Sequence, residues 1–311
     1  MSSHAESPER VTAAVIGLGS MGFGMAQSMK RAGIEVVGYD ITSAAVERFA
    51  AEGGRSANTL RAAVANADIV VSVVVNAAQT EAVLFGADGI SAAMKPGAVF
   101  VSSATMDPAI ARCLSEQLEA LGIHYLDAPI SGGAARAAKG ELTIMASGSP
   151  HAFAAARPAL DAMAAKVYEL GDAAGTGAAF KMINQLLAGV HIAAACEAIT
   201  FAAKQGLDLD RVYEVITASA GNSWMFENRV PHVLAGDYTP LSAIEIFVKD
   251  LGIVQDMARA ERYPVPLVAA ALQMYLAASG AGMGRDDDSS LARLYAQLSG
   301  AKLPGQEPNK A

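Results

Sequence analysis

Beyond the first ten residues, short apolar runs alternate with amphipathic stretches through the first half of the chain. Residues 11–16, 34–39, 69–75, 99–102 and 123–126 are apolar runs of strand length, with little alternation of apolar and polar positions. Residues 20–32, 43–51 and 108–121 instead carry apolar side chains at helical spacing. A strand buried on both faces loses the period-two pattern. This order therefore predicts an α/β fold, a Rossmann-type doubly wound parallel sheet with helices on each side. Residues 142–146 and 167–170 read as two further strands at the end of that sheet.

The pattern changes after Gly171. Gly175-Thr176-Gly177 reads as a hinge, and residues 178–205 form one long helical pattern that stops at Gly206, a natural C-cap. Helical patterns recur over 210–219, 224–234, 243–262, 266–279 and 288–298, with Pro266 suited to a first turn. No strand pattern returns, so the expected division is residues 10–172 and an all-helical part over 173–300. Residues 303–311 are polar and expected to fray. Residues 186–203 are long enough to raise a membrane span, but they contain His191 and Glu197, and Lys181, Asn184 and Gln185 lie just before them. Ionisable groups are costly in a bilayer, so a buried helix is expected and no membrane association.

Composition narrows the partners. Of the 311 residues 52% are hydrophobic, enough for a sizeable core, and 23 Lys and Arg face 31 Asp and Glu for a net charge of −8. An acidic chain without a basic stripe argues against nucleic acid and against an anionic membrane surface. Cys113 and Cys196 make neither a disulfide framework nor a zinc site, and both are expected to be inert buried thiols. The first ten residues lack an apolar signal core, so a cytoplasmic location is expected. Asp286-Asp287-Asp288 is expected to be a solvated helix start, and no metal site is expected.

Gly17-Leu18-Gly19-Ser20-Met21-Gly22 fits G-x-G-x-x-G between the first strand and the first helix, the context that gives this pattern meaning. There the first glycine permits a tight turn, the second lets the backbone approach a pyrophosphate, and the third allows close helix–strand packing. Asp40 follows the second strand, 18 residues after Gly22. Its carboxylate can accept both ribose hydroxyls and would repel a 2′-phosphate, and Ile41-Thr42 brings no Arg, so NAD is expected over NADP.

Lys181, Asn184 and Gln185 stand at i, i+3 and i+4 of an otherwise apolar helix and share one face. Two readings are open. Lys181 can be a general base in an interdomain cleft, drawn toward neutral pH by desolvation and a nearby nicotinamide cation, or it can snorkel to solvent while the amides cap the helix. Asp127-Ala128-Pro129-Ile130-Ser131-Gly132-Gly133 follows a strand, and its last residues suit either an anion-binding nest for a carboxylate or an ordinary strand-to-helix loop.

Four ordered motifs then resemble the β-hydroxyacid dehydrogenase family: the segment from Gly17 to Ala26, Asp127 to Gly133, Gly177 to Gln185, and Phe247-Val248-Lys249-Asp250-Leu251. The resemblance spans about residues 11–298. It implies NAD as cofactor, a small hydroxy acid as substrate, Lys181 as the proton-transfer residue, and Ser131, Gly132 and Gly133 as the carboxylate loop. It further implies Thr105 and Lys249 beside the cofactor. Many members carry Asn four residues after the lysine, where this chain has Gln185 and places Asn184 one earlier. The segments 184–195 and 219–229 resemble the family's bacterial L-threonate branch, implying oxidation of the 2-hydroxyl to 2-oxo-tetronate in sugar-acid catabolism. That resemblance offers Asn222, Ser223, Asn228 and Arg229 as polar groups for the substrate hydroxyls. Trp224 and Phe226 are expected in the helix-packing core. The alternatives are a tartronate semialdehyde or 3-hydroxyisobutyrate type enzyme, or a non-catalytic NAD-binding module. A long uncharged helix in an alanine-rich domain leads to an expected homodimer or homotetramer.

Overall fold

The computed structural model describes residues 11–305. Six parallel strands, β1 (Thr12–Ile16), β2 (Glu35–Tyr39), β3 (Arg55–Ser56), β4 (Ile69–Ser72), β5 (Val99–Ser102) and β6 (His124–Asp127), lie in the order β3-β2-β1-β4-β5-β6. The connecting helices are α1 (Ser20–Arg31), α2 (Ser43–Ala51), α3 (Leu60–Val64), α4 (Ala77–Phe85) and α5 (Pro108–Glu119). This is the doubly wound order, with its switch point between β1 and β4. Alternate residues of each strand enter opposite cores: Ala13 and Val15 pack on one face and Ala14 and Ile16 on the other. Both faces are covered, and for that reason the strands read as continuous apolar runs.

The next strands differ from expectation. β7 (Ile130–Ser131), β8 (Leu142–Ala146) and β9 (Ala164–Glu169) form a separate three-stranded sheet, in which β7 pairs antiparallel and β9 parallel with β8. The chain runs on from β6 into β7 and reverses only over residues 132–141, so β8 returns antiparallel to β7. Two helices belong to this part, α6 (Gly133–Lys139) and α7 (Pro150–Met163). Then come α8 (Thr176–Lys204), α9 (Leu209–Thr217), α10 (Trp224–Ala235), α11 (Ile244–Ala260), α12 (Pro266–Ala278) and α13 (Leu291–Ser299).

The chain divides into two compact units, one running to Lys181 and the other starting at Met182, so α8 begins in the first and continues in the second. The second unit is all helical, around a core that includes Ile192, Cys196, Phe226, Phe247 and Tyr275. Two stretches, Thr176–Lys204 and Pro266–Met283, are long and apolar enough to cross a membrane by length and composition. Half of the most apolar window of the first and a third of that of the second are buried within the protein. Of the polar tail over 303–311, Leu303 is buried in the second core, and residues from 306 on lie outside the described residues.

Three expectations for side chains fail. Asp287 and Asp288 are fully buried, not solvated. Asp287 accepts from the amides of Leu241 and Ser289, and Asp288 pairs with Arg229. Trp224 is 57% exposed, because it opens α10, while Phe226 is in the core. Cys113 is exposed on α5, whereas Cys196 is buried, and burial pushes its thiol pKa far up.

Candidate active site

The nucleotide loop is built by β1 and α1. Gly17 has φ +96°, and a Cβ there would lie 2.8 Å from the Val73 carbonyl oxygen. At Gly22 an added Cβ would overlap the Gly17 carbonyl, so that position admits only hydrogen. Around Gly19 nothing lies within 4 Å of an added Cβ, which leaves open space over the start of α1. The Phe23 amide donates to Gly19 O at 3.1 Å. The amides of Ser20, Met21 and Gly22 therefore precede the first intrahelical bond, at the positive end of a twelve-residue helix. Asp40 closes the loop: its Oδ2 accepts from the Leu18 amide at 2.7 Å and its Oδ1 from the Thr42 amide at 2.8 Å. Each oxygen keeps a second lone pair, so the carboxylate can still accept a ribose diol. These groups fit a dinucleotide. Thr105, half-buried, lies between β5 and α5 in the same unit.

The second feature joins a loop to a helix. Past β7, Gly132 (φ +134°) and Gly133 (φ +77°) take successive left-handed conformations, the kind of backbone that forms anion-binding concavities. Lys181 does not snorkel to solvent. It is 8% exposed, and its Nζ donates to the Ile130 carbonyl oxygen at 2.8 Å. The amine is thus held at the residue before Ser131. Asp127, the first residue of the same motif, is buried. Its Oδ2 accepts from the amides of Gly175 at 2.9 Å and Ala178 at 2.8 Å, and from the Ser147 hydroxyl at 3.3 Å. Burial pushes its pKa up to about 6 against the downward pull of those bonds. The Gly177 amide donates to Ser147 Oγ at 2.9 Å. The helix start at Gly175-Thr176-Gly177 is therefore bonded to Asp127 and Ser147.

In the second unit, Asn184 Nδ2 donates to Gln185 Oε1 at 2.9 Å, and Gln185 Nε2 donates to Asp250 Oδ2. Lys249 Nζ donates to the other oxygen of Asp250. Asp250, 1% exposed, is thus the link between the two amides and Lys249. Sequence reasoning missed it, although a signal was present: Phe247, Asp250, Leu251 and Val254 share the inward face of α11, where an acid needs partners. The polar groups offered for substrate hydroxyls are mostly engaged elsewhere. Arg229 is buried on Asp288 and takes Asn228 as a neighbour, Ser223 caps α10, and Asn222 bonds Thr217 O and Glu227.

Comparison with known proteins agrees with this layout. A family model described as the NAD-binding domain of 6-phosphogluconate dehydrogenase matches residues 12–171. A second, described as the NAD-binding part of NADP-dependent 3-hydroxyisobutyrate dehydrogenase, matches residues 175–295. L-threonate dehydrogenase of Cupriavidus necator is 54% identical over 94% of this chain and 97% of its own length. That of Haemophilus influenzae is 50% identical over 95% and 98%. The crystal structure of a 3-hydroxyisobutyrate dehydrogenase from Salmonella typhimurium superposes with a TM-score of 0.88 at 50% identity, over 91% of this chain and 99% of that one. The chain belongs to the β-hydroxyacid dehydrogenase family, related to 3-hydroxyisobutyrate dehydrogenase, whose members are NAD-binding hydroxyacid dehydrogenases.

Proposed function

We propose that this protein oxidises L-threonate to 2-oxo-tetronate with NAD, with residues 10–172 serving the cofactor and residues 173–300 the substrate and self-association. The observation that carries the chemistry is the Lys181 amine held on Ile130 O, one residue before the loop suited to a carboxylate. The choice of substrate is supported by relatives named L-threonate dehydrogenase at 48–54% identity over nearly their full length. Bound NAD would supply the hydride acceptor, on the loop Gly17, Leu18, Gly19, Ser20, Met21 and Gly22 with the amides of Ser20, Met21 and Gly22 open to its phosphates, with Asp40 taking the ribose and Thr105 and Lys249 adjoining it.

In this reading the backbone of Ser131, Gly132 and Gly133 holds the substrate carboxylate and fixes the 2-carbon. Lys181 takes the hydroxyl proton as general base. Gln185 is engaged by both Asp250 and Asn184. Asn184, one turn after Lys181, is then the amide that offers its Oδ1 to the substrate. A buried lysine beside a left-handed loop speaks for catalysis and against a silent NAD-binding module.

A panel of hydroxy acids with NAD and NADP, followed at 340 nm, tests this. L-threonate with NAD should exceed every other pair in kcat/KM. Lys181→Ala should lose about a thousandfold in kcat, within the range of general acid–base catalysis, and full activity in that variant would end the assignment. The similarity to a 3-hydroxyisobutyrate dehydrogenase favours a second reading, which a preference for 3-hydroxyisobutyrate over L-threonate would establish. We further place the protein in the cytoplasm, in carbohydrate catabolism, as a homodimer or homotetramer.

A further inference from the structure

The helices of this chain commonly take their N-caps from the residue next to them: Thr59, Asn76, Asp107, Ser149, Asp208 and Ser223 each accept an amide from the helix they precede. The start of α8 is held differently. Asp127 reaches it from the end of β6, 48 residues before Gly175 and 51 before Ala178. The bond from Lys181 to Ile130 O also spans 51 residues. The two links are therefore three residues apart on the loop and three apart on the helix, in matching register.

Neutral capping would avoid burying a charge. The groups facing Asp127 are the amides of Gly175 and Ala178, the Ser147 hydroxyl and Tyr125, the last being the titratable group coupled to it. A buried carboxylate is costly unless it is hydrogen-bonded, and the bonds that offset the cost here all lead to the start of α8. Four charge-assisted or relayed contacts, through Asp127 and Ser147, hold the Gly175–Ala178 segment. A small rotation of that segment would carry Lys181 off the Ile130 carbonyl.

We propose that Asp127 is the positioning residue for Lys181: its carboxylate clamps the start of α8 in the register that brings the amine to the Ile130–Gly133 loop. This rests on Lys181 being the proton carrier. It adds a second role to the Asp127–Gly133 motif, whose C-terminal end is read as the carboxylate loop and whose first residue sets the helix.

The test is best run in the direction of 2-oxo-acid reduction. There Lys181 delivers the proton, low pH favours its ammonium form, and a decline in acid cannot come from it. Asp127, with its pKa near 6, is ionised above that pH and loses its charge below it. Wild-type kcat/KM should therefore fall below about pH 6, and Asp127→Asn, which keeps an acceptor oxygen without the charge, should be flat there. At pH 8 Asp127→Asn should lose about five- to twentyfold in kcat, with NADH affinity within about twofold of wild type, the loss of one set of charge-assisted bonds. Ser147→Ala should lose less, in the same direction. Amide hydrogen exchange of residues 175–181 should quicken in both variants.

Wild-type kcat in Asp127→Asn, or an acid limb near 6 that persists in it, overturns the proposal. So does faster exchange over 175–181 with turnover unchanged, since attachment would then not matter to catalysis. A merely structural role would lower the folded fraction and leave kcat per folded molecule and the pH profile as they were. Turnover surviving in Lys181→Ala would defeat the proton-transfer reading instead, while the exchange data would still decide whether Asp127 clamps the helix.

Discussion

Single atoms decide the cofactor site. At Gly22 even a methyl group collides with the Gly17 carbonyl, and the next neighbour, Val73 Cβ, is 3.2 Å away. Gly22→Ala must push α1 off β1, at a cost of about 1–3 kcal/mol by overpacking. Calorimetric titration should show NAD affinity falling at least about tenfold, since the same shift moves the phosphate-facing amides. Asp40 acts in two directions, holding Leu18 and Thr42 while it keeps lone pairs for a ribose. Adjacency in sequence suggested no cation for a 2′-phosphate, yet Arg48 reaches back from α2 to Leu18 O at 3.4 Å and lies 3.9 Å from the Phe23 ring centroid. Asp40→Ser should therefore do more than weaken NAD. With the repelling carboxylate gone and Arg48 close to the loop, the NAD-to-NADP ratio of kcat/KM should drop by about a hundredfold, about 2.7 kcal/mol. An unchanged ratio would show that Asp40 does not set the preference.

Elements are held by polar groups as much as by the apolar cores. Arg229 on α10 donates to both oxygens of Asp288, which begins the turn before α13, and both side chains are buried. Burial pushes the Asp288 carboxyl up to about 6, and Arg229 pulls it back. Asp288→Ala leaves a guanidinium buried without its partner and should cost about 3–5 kcal/mol in urea unfolding. Arg229→Met with Asp288→Leu should recover much of that loss, because the desolvation of both charges disappears. The legibility of the sequence follows the same division. Strands buried on both faces and helices with one apolar stripe were readable to within a few residues, because burial alone writes those patterns. The helices α3, α4, α6 and α7 were not read: α3 and α6 are short, and α4 and α7 are rich in alanine. The separate sheet of β7, β8 and β9 depends on a chain reversal between β7 and β8 that no periodicity records. Likewise Lys181, the glycine loop and Asp40 were visible as local patterns, whereas Asp250 and the clamp at Asp127 act on residues 48 to 65 positions away.

At the scale of the whole molecule, the second unit leaves several large apolar side chains exposed. Phe201 is 65% exposed, Leu267 69% and Leu298 71%. A groove of about 590 Å³ is lined by α8, α12 and α13, with Phe201 and Leu267 on its walls beside Val190, Ala194 and Met274. Scattered apolar side chains are ordinary on a surface, but Phe201 and Leu267 are exposed on the walls of one groove, where apolar surface suits an interaction site. A second copy of this chain is the occupant proposed above. Its matching α8, with Ile183, Leu187 and Phe201 facing outward, supplies the same apolar chemistry the groove offers, as an isologous contact requires. Each such side chain fully covered contributes about 1.5–3 kcal/mol, so a handful offset the cost of association. Light scattering at micromolar concentration should give two or four times the 31.9 kDa chain mass. Phe201→Glu combined with Leu267→Lys should lower that mass while leaving NAD affinity intact, because the nucleotide loop lies in the first unit. A wild-type mass of one chain would remove the homo-oligomer, and an unchanged mass in the double variant would move the contact to another face.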